Sequence, residues 1–469
     1  MENVSQGNRV FLNQQHKQKG DVTMKKILSA VAALGLVAGV ATVATAADFT
    51  VTGNYKVEGY YINNVIDADG ATDLNNALGR TGTNVLSAGG ANAFEETGSD
   101  SFYMHTFQML PTMKVNDNIT MKSDIRLRKE AMWGTGDDSG ATTNTTVSGV
   151  DVNKIYMEYA SPVGKITVGR TPAGAWGSSF LNSATAANRI MWAPSMVSAP
   201  WSALVYTQKT TEADSQGLAT NDQDTDQYHV GVGYTTNDAK LAVGYFHNVN
   251  GATSTTDYQI DVDGMLKFAG NYFVSGEYAH IGGEKSATGD WDADGLLLAV
   301  GGDFGALSVH GAYVYASGWD GTGNDDEALM NKTKSLGKDF QPLYIFTGDA
   351  MGILNHDEKS GLNGTAAVAA SLAGVHCYAL IADYKVSDRL TLHGAIAYGK
   401  ADETAAYGAA VDDSFGMEYN VGAAYKLLDN LTYEAHFGYV DAGDFFQMGD
   451  ATADIQDITL LSHSLTMKF

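Results

Sequence analysis

Segments in which apolar and polar residues alternate recur along most of this chain. In one of them Ile119, Met121, Ile125 and Leu127 are apolar, and most of the residues between them are charged. Successive side chains of a β-strand point to opposite faces, so this segment has one apolar and one charged face. A barrel wall with lipid outside and water inside needs strands of this kind.

The amino-terminal region has the composition of an export signal. After Met24, two lysines precede an apolar run from Ile27 to about Ala41, and residues 44–46 are small, as at a cleavage site. We therefore expect a signal peptide over 24–46 and one mature barrel domain over 47–469. We interpret residues 1–23 as an upstream extension that is not used. A retained anchor is the alternative, but the run is shorter than the ~20 residues of a bilayer-spanning helix.

Charge and cysteine content exclude several classes of protein. The formal net charge of −25 at pH 7 argues against nucleic acid as a partner, because a phosphate backbone repels an acidic surface. The single cysteine, Cys377, excludes an intramolecular disulfide and cysteine-rich metal sites. No later apolar run has the length of a spanning helix. A chain that crosses lipid without such runs has to close its backbone hydrogen bonds in a barrel.

Turns and loops set the expected strand number. Short polar turns are expected near residues 116–118, 161–164, 235–238, 387–389 and 428–430, and the largest loops at about 63–100, 133–149 and 318–373. With both termini on the periplasmic side, the number of strands is even. An additional hairpin formed by 188–193 and 202–212 gives about 18 strands, and a single loop over 171–225 gives about 16. We expect an all-β, transmembrane antiparallel barrel of about 18 strands, with 16 as the alternative.

The chain ends in LSHSLTMKF, another alternating segment. Leu461, Leu465, Met467 and Phe469 fall on one face, with His463 as the polar exception. An aromatic carboxyl terminus on such a strand resembles the closing strand of Gram-negative outer-membrane barrels. If the barrel closes, this strand pairs with the first one, at about residues 49–61.

The GKITVGR stretch, Gly164 to Arg170, resembles the strand that precedes the constriction loop of Gram-negative general porins. Together with the signal peptide, the alternation and the terminal phenylalanine, this resemblance covers essentially the whole mature chain. It implies an outer-membrane location, a homotrimer, and a third external loop, about 171–187, that folds into the barrel with Trp176 and Phe180. It also implies that Phe469 is the signal for the barrel assembly machinery. Residues 171–200 contain no Asp or Glu, unlike the acidic loop of that family.

Charged residues on the predicted inner faces are the candidates for the pore wall. Together with the two loop aromatics Trp176 and Phe180, the pore-lining and constriction candidates are Lys122, Asp124, Arg126, Arg128, Glu130, Arg170 and Arg189. Several cations on one strand are tolerated where water, anions or carboxylates offset them, as in a lumen. The alternative is a solvated strand face with structural ion pairs and no effect on permeation.

Metal and catalytic motifs are weak or missing. Asp290, Asp292, Asp294 and Gly295 resemble the start of a calcium loop, but Gly301 stands where a bidentate glutamate is needed. We therefore expect no metal site and no cofactor. The sequence lacks the GxSxG, HExxH and phosphate-loop motifs, so an enzyme is not expected.

The sequence thus predicts a porin for passive diffusion of small hydrophilic solutes or ions. Its expected surroundings are outer-membrane lipid, lipopolysaccharide and the assembly machinery. One alternative is a channel selective for a sugar or an anion, since Trp176, Trp192 and Trp201 could offer stacking surfaces. Another is a structural barrel whose long loops bind a partner protein.

Overall fold

The computed structural model describes most of the chain from Asp48 to Phe469. The described residues are 48–63, 99–133, 150–172, 176–181, 186–213, 223–322, 326–333, 336, 340, 342–348, 352–354, 372–408, 410–447, 449, 451 and 456–469. The expected upstream extension and signal peptide lie outside these residues, as do most of the loops at 63–100 and 133–149.

Eighteen β-strands form a single sheet. In chain order they are β1 (Asp48–Asn63), β2 (Ser99–Lys114), β3 (Ile119–Met132), β4 (Val150–Ser161), β5 (Gly164–Pro172), β6 (Ala186–Pro194), β7 (Trp201–Thr211), β8 (Thr225–Thr235), β9 (Ala239–Asn250), β10 (Thr255–Phe268), β11 (Tyr272–Ser286), β12 (Gly289–Phe304), β13 (Leu307–Ala316), β14 (Val375–Lys385), β15 (Leu390–Lys400), β16 (Ser414–Leu428), β17 (Leu431–Ala442) and β18 (Ile458–Lys468). The described part also contains the short helix α1 (Leu329–Thr333) and two 3-10 turns, Ala405–Tyr407 and Asp444–Gln447.

The sheet closes on itself. Each strand pairs antiparallel with the next one in the chain, and β18 pairs with β1, with Lys468 opposite Asn54 and Thr459 opposite Asn63. Every strand therefore has two neighbours, and no sheet edge has to be satisfied by lipid. The predicted 18-strand barrel is confirmed, including the hairpin of β6 and β7 and the pairing of the last strand with the first.

Strand alternation separates the two faces of the wall. On β8, Val230 and Val232 are exposed and point outward, while His229 and Gly231 are buried and point inward. The same alternation on the other strands gives an outer surface of Val, Leu, Ile and aromatic side chains. Among the described residues, no helix is long and apolar enough to cross a membrane.

The connections differ between the two ends of the barrel. The end that carries both termini has turns of two to six residues, including 115–118, 162–163, 236–238 and 429–430. In the first of these, the Asn116 side chain accepts hydrogen bonds from the N–H groups of Asn118 and Ile119, both at 2.9 Å. The long connections, including β5–β6 and β13–β14, lie at the opposite end.

An apolar core fills part of the barrel interior. It joins wall residues of several strands to residues of the long β5–β6 and β13–β14 loops, and its members include Ile62, Phe102, Val440, Ile458, Phe180, Leu336 and Phe346. The strand residues in this core lie toward the loop end of the barrel. Two loops are therefore packed inside the wall and narrow the space left for solutes.

Candidate functional site

A cluster of charged side chains lines the inner face of β3, β4 and β5. Lys122 Nζ lies 2.9 Å from one carboxylate oxygen of Glu158, and Lys165 Nζ lies 3.6 Å from the other. Each of these residues alternates with outward apolar neighbours such as Met121 and Met157, which are exposed on the opposite face. Period-two alternation alone therefore positions the cluster on the interior surface.

Asp124 is the centre of a second inner-wall network. Its carboxylate accepts hydrogen bonds from Gln108 Nε2 at 2.7 Å and Asn153 Nδ2 at 2.9 Å, and it lies 3.3 Å from Arg126 Nη2. Lys154 Nζ is 3.9 Å away. Asp124 is only 3% exposed, so its charge is offset by this ring of donors rather than by water.

The two networks contain more positive than negative charge. Their described side chains include the cations Lys122, Arg126, Lys154 and Lys165, and the carboxylates Asp124 and Glu158. The side chains of these two networks therefore carry a net positive charge at this part of the wall.

Arg189 extends the polar wall onto β6 and β7. Its Nε donates to Gln208 Oε1 at 2.7 Å, its Nη2 donates to the Tyr206 hydroxyl at 3.1 Å, and its guanidinium lies 4.0 Å from the centre of the Tyr206 ring. Tyr206 in turn donates to Gln227 Oε1 at 3.0 Å. Arg189 is 7% exposed, so it stabilises the wall as a buried hydrogen-bonded group and offers little charge to water.

Part of the β5–β6 loop, segment 176–181, lies against the inner wall of β8, β9 and β11. The Trp176 ring covers Gly231 on β8 and Gly244 on β9, where an added Cβ would come within 2.7 Å of the indole. The ring also contacts His229, with 5.4 Å between ring centres. The glycines leave the space that this close approach requires.

Polar contacts fix segment 176–181 in place. The Ser178 N–H donates to Glu277 Oε2 at 2.7 Å, and Lys240 Nζ donates to the carbonyl of Gly177 at 3.3 Å. Glu277 is 1% exposed and points inward, because its neighbour Tyr278 is exposed on the outer face. Phe180 is fully buried and packs edge-on against Phe340 of the β13–β14 loop, with 5.5 Å between ring centres.

A second part of a loop, segment 343–347 of the β13–β14 connection, is held by Glu418 on β16. The Glu418 carboxylate accepts hydrogen bonds from the N–H groups of Tyr344 at 2.9 Å, Ile345 at 2.7 Å and Phe346 at 2.6 Å. Glu418 is fully buried and has exposed Tyr419 beside it on the outer face. Three consecutive N–H groups around one carboxylate form an anion nest, here with the anion supplied by the wall.

Tyr344 connects this segment to the histidines of the inner wall. Its ring stacks on His436 with 4.5 Å between centres and 10° between planes, and it lies 5.4 Å from His393. Its hydroxyl lies over Gly422, where an added Cβ would be 2.2 Å away. Ile345 occupies the corresponding position over Gly438.

The structure places the predicted pore residues in different settings. It brings Lys122, Asp124 and Arg126 together on the inner wall, and it places Arg189 nearby as a buried group. Arg170 shares a strand face with outward Val168 and donates from Nε to the carbonyl of Asn153 at 2.7 Å, so it does not join the cluster. The side chains of Arg128 and Glu130 lie outside the described residues.

Two predicted stacking residues also lie away from the lumen. Trp192 shares a strand face with outward-facing Ile190, and its Nε1 donates to the carbonyl of Val163 in a short turn. Trp201 is exposed and contacts Tyr234 on the outer surface at 5.0 Å. Trp176 is the one of the three tryptophans that lies inside the barrel.

Sequence reasoning missed several residues of the site. Glu158, Lys154 and Lys165 are inward by simple alternation, and the spacing could have identified them. Glu277 and Glu418 carry no such signal, because their partners are backbone N–H groups 99 and 72 to 74 residues away.

The acidic run at residues 290–294 lies in β12 and does not form a calcium loop. Asp292 and Asp294 face outward with exposed Leu298, and Asp294 accepts hydrogen bonds from Tyr278 at 2.6 Å and His280 at 3.1 Å. Ligand atoms of His280, Asp292 and Asp294 lie within 4.8 Å of one another, but Asp290 is not in this group. An extended strand does not wrap its side chains around one ion as a calcium loop does, and the expected absence of a metal site stays a prediction.

Phe469 lies on the outer surface where the barrel closes. Its backbone exchanges hydrogen bonds with Gly53 at 2.9 and 3.0 Å, and its ring stacks on Phe107 with 5.7 Å between centres. The ring is 46% exposed, so it is accessible from the side of the barrel. Its role as an assembly signal stays a prediction.

Comparisons with solved structures identify the fold. A scan against protein-family models and a search of curated proteins gave no match to this sequence. Among solved structures, OccAB2 of Acinetobacter baumannii superposes with a TM-score of 0.53 at 10% identity over 90% of this chain and 98% of its own. For OccK9 (OpdG) of Pseudomonas aeruginosa, the TM-score is 0.52 at 13% identity over 89% and 98%. A BenF-like porin from Pseudomonas fluorescens Pf-5 has a TM-score of 0.50 at 12% identity over 89% and 99%. The chain therefore has the fold of an outer-membrane porin.

Proposed function

We propose that this protein is an outer-membrane channel for passive diffusion of small hydrophilic solutes, narrowed by segments 176–181 and 343–347. The observation that carries the proposal is the charged inner wall of β3–β5, which faces the interior while the outer face is apolar. Charged side chains such as Lys122 and Lys165 require water or ions beside them, and a lumen supplies both. A water-filled path along this wall is the function that the geometry supports best.

Liposome swelling tests this proposal. Purified full-length protein reconstituted into liposomes should admit small sugars such as arabinose faster than raffinose, because the two inner segments restrict the path. Empty liposomes give the background rate. No swelling with any solute, from protein that is verified as inserted, would contradict the proposal and favour a structural or partner-binding barrel.

The positive wall leads to a proposal about ion preference. Neutralising Lys122 should shift the reversal potential in a salt gradient toward cation selectivity, because Lys122 lies at the interior surface and pairs only in part with Glu158. The matched control is Arg170→Gln, which removes one positive charge from the outward face of β5. If Lys122→Gln and Arg170→Gln shifted the reversal potential equally, the assignment of Lys122 to the pore wall would be contradicted. Arg126→Gln and Arg128→Gln extend the series to the other two candidate cations of β3.

A selective channel is the second candidate. The buried anchoring of segments 176–181 and 343–347 supports it, because fixed loops give the remaining path a defined shape. Trp176 covers wall glycines, so a sugar-stacking surface built from the three tryptophans is not supported. Currents blocked by one solute class would favour selectivity, whereas equal currents with all small electrolytes would favour general diffusion.

We also propose the surroundings of the barrel. The apolar outer face suits outer-membrane lipid, with lipopolysaccharide at the loop end, and Phe469 at the closing seam is accessible to the assembly machinery. A homotrimer is proposed from the sequence resemblance, and chemical crosslinking in native membranes would test it. We propose no enzymatic activity, cofactor or nucleic-acid partner.

A further inference from the structure

A cavity of about 230 Å³ lies inside the barrel between segment 343–347 and the inner wall of β17, β18 and β1. Its walls combine charged, hydroxyl and aromatic groups, and the lining includes Lys56, Glu58, Tyr344, Glu434, His436 and Ser464. Pockets for drug-sized ligands typically measure about 300–1,000 Å³, so this cavity suits a smaller solute. It lies apart from the charged cluster of β3–β5.

The strand register fixes the positions of the two carboxylates. Ser464 on β18 is opposite Glu58 on β1 and opposite Glu434 on β17, so the serine lies between the two glutamates. Neighbouring strands are about 4.8 Å apart, which places the two backbone positions about 10 Å from each other. Ser464 Oγ donates to Glu434 Oε2 at 3.2 Å.

The two glutamates differ in how their charge is offset. Glu58 lies 2.7 Å from Lys56 Nζ and accepts a hydrogen bond from the Tyr60 hydroxyl at 2.9 Å. The Glu434 carboxylate accepts a hydrogen bond from the Ser464 hydroxyl. No lysine or arginine in the described part of the chain forms an ion pair with Glu434. A carboxylate accepts about four hydrogen bonds, so Glu434 retains capacity for a donor with positive charge.

Tyr344 lines the cavity on the side of segment 343–347. Glu418 fixes the backbone of this residue, and His436 stacks against its ring, so the aromatic surface is held in one position. An aromatic face beside a carboxylate is a favourable environment for an ammonium group with a short apolar part. Leu343 adds apolar surface to the same lining.

We propose that this cavity binds a small organic cation, a primary ammonium compound of about ten or fewer non-hydrogen atoms. Glu434 pairs with the ammonium group, Ser464 orients the carboxylate, and Tyr344 covers the apolar part. The inference rests on the proposed channel only for the route by which the solute reaches the cavity. Binding itself needs the folded barrel and not conduction.

Calorimetric titration of the detergent-solubilised full chain with n-butylammonium, butyrate and n-butanol tests the proposal. Butylammonium should bind saturably and the two matched probes should not. Glu434→Gln should weaken butylammonium binding by about tenfold or more, because it removes a charge-assisted contact. The control Asp441→Asn, which removes an acid from the outward face of the same strand, should bind as the wild type does.

Several outcomes would overturn the proposal: no butylammonium binding, butyrate binding of equal strength, or unchanged affinity in Glu434→Gln. If Glu434→Gln does not fold, Glu434→Asp retains the charge at a shorter reach and should bind with intermediate affinity. Liposome swelling with the same preparations separates the two proposals. Binding without solute entry contradicts the channel alone, and solute entry without binding contradicts the cavity alone.

Discussion

Segments 176–181 and 343–347 both lie inside the barrel, and they are held by the same kinds of contact in unequal number. Each has an aromatic side chain over wall glycines and a ring contact with a wall histidine: Trp176 with His229, and Tyr344 with His436. Each also binds a buried wall glutamate through backbone N–H groups. Glu277 receives one described N–H group from segment 176–181, whereas Glu418 receives three from segment 343–347.

The difference in hydrogen bonding indicates a difference in rigidity. Hydrogen bonds to a charged group contribute about 1.5–3 kcal/mol each, so the three described N–H groups on Glu418 give segment 343–347 the stronger backbone attachment to its wall glutamate. Trp176 Nε1 is buried and has no hydrogen-bond partner among the described residues, which further weakens the first segment. We infer that segment 343–347 forms the fixed side of the constriction and that segment 176–181 is the side more easily displaced.

The largest effect is expected from Glu418→Gln. The substitution removes the charge that three N–H groups share, while the strand pairing of β16 is retained. Amide exchange at Tyr344, Ile345 and Phe346 should accelerate by about tenfold or more, because each hydrogen bond to a charged acceptor is worth at least one factor of ten. Hydrogen-exchange mass spectrometry measures this acceleration, with Asp441→Asn as the control. Unchanged protection of the three amides in Glu418→Gln would contradict the anchoring role of Glu418.

A smaller effect is expected from Glu277→Gln. One N–H group, that of Ser178, loses its carboxylate acceptor, so exchange is expected to accelerate by about tenfold at this one amide, whereas Glu418→Gln accelerates exchange at three. Lys240 and the packing of Phe180 remain to hold the segment. If Glu277→Gln released its segment more than Glu418→Gln releases the other, the inferred order of rigidity would be reversed.

The smallest effects are expected from a matched pair of glycine substitutions. An added Cβ at Gly422 would lie 2.2 Å from the Tyr344 hydroxyl, and one at Gly244 would lie 2.7 Å from Trp176 Nε1. Overpacking of this kind costs about 1–3 kcal/mol. Gly244→Ala should displace the indole of its loosely held segment, whereas Gly422→Ala should lower the unfolding temperature with less loop movement. Tryptophan fluorescence quenching and thermal denaturation distinguish the two outcomes.

Much of the barrel could be predicted from the sequence, because the wall follows a single local rule. Alternation with period two places Met121 on the outer face and Lys122 on the inner face, and this placement does not depend on distant parts of the chain. The same rule also explains why Arg170 faces away from the cluster: it lies five positions from Lys165, and an odd spacing puts two residues on opposite faces. Family resemblance supplied the expectation that the third loop folds inward.

The anchors of the inner segments could not be predicted in this way. Glu277 and Glu418 have the spacing of ordinary lumen residues, and nothing local distinguishes them from Glu158, which pairs with wall lysines. Their partners are backbone N–H groups of distant loops. Because almost every residue has such a group, residue type does not identify these partners. The inward position of the β13–β14 segment was missed for the same reason.

If the barrel conducts, segment 343–347 narrows the conducting path because Glu418 holds it against the wall. Single-channel conductance of the wild type and Glu418→Gln, measured side by side in planar bilayers, tests this directly. We expect a steady ohmic current for the wild type and a larger, noisier current for Glu418→Gln. An inserted wild-type barrel that carries no current, or equal conductance in the two proteins, would contradict this expectation.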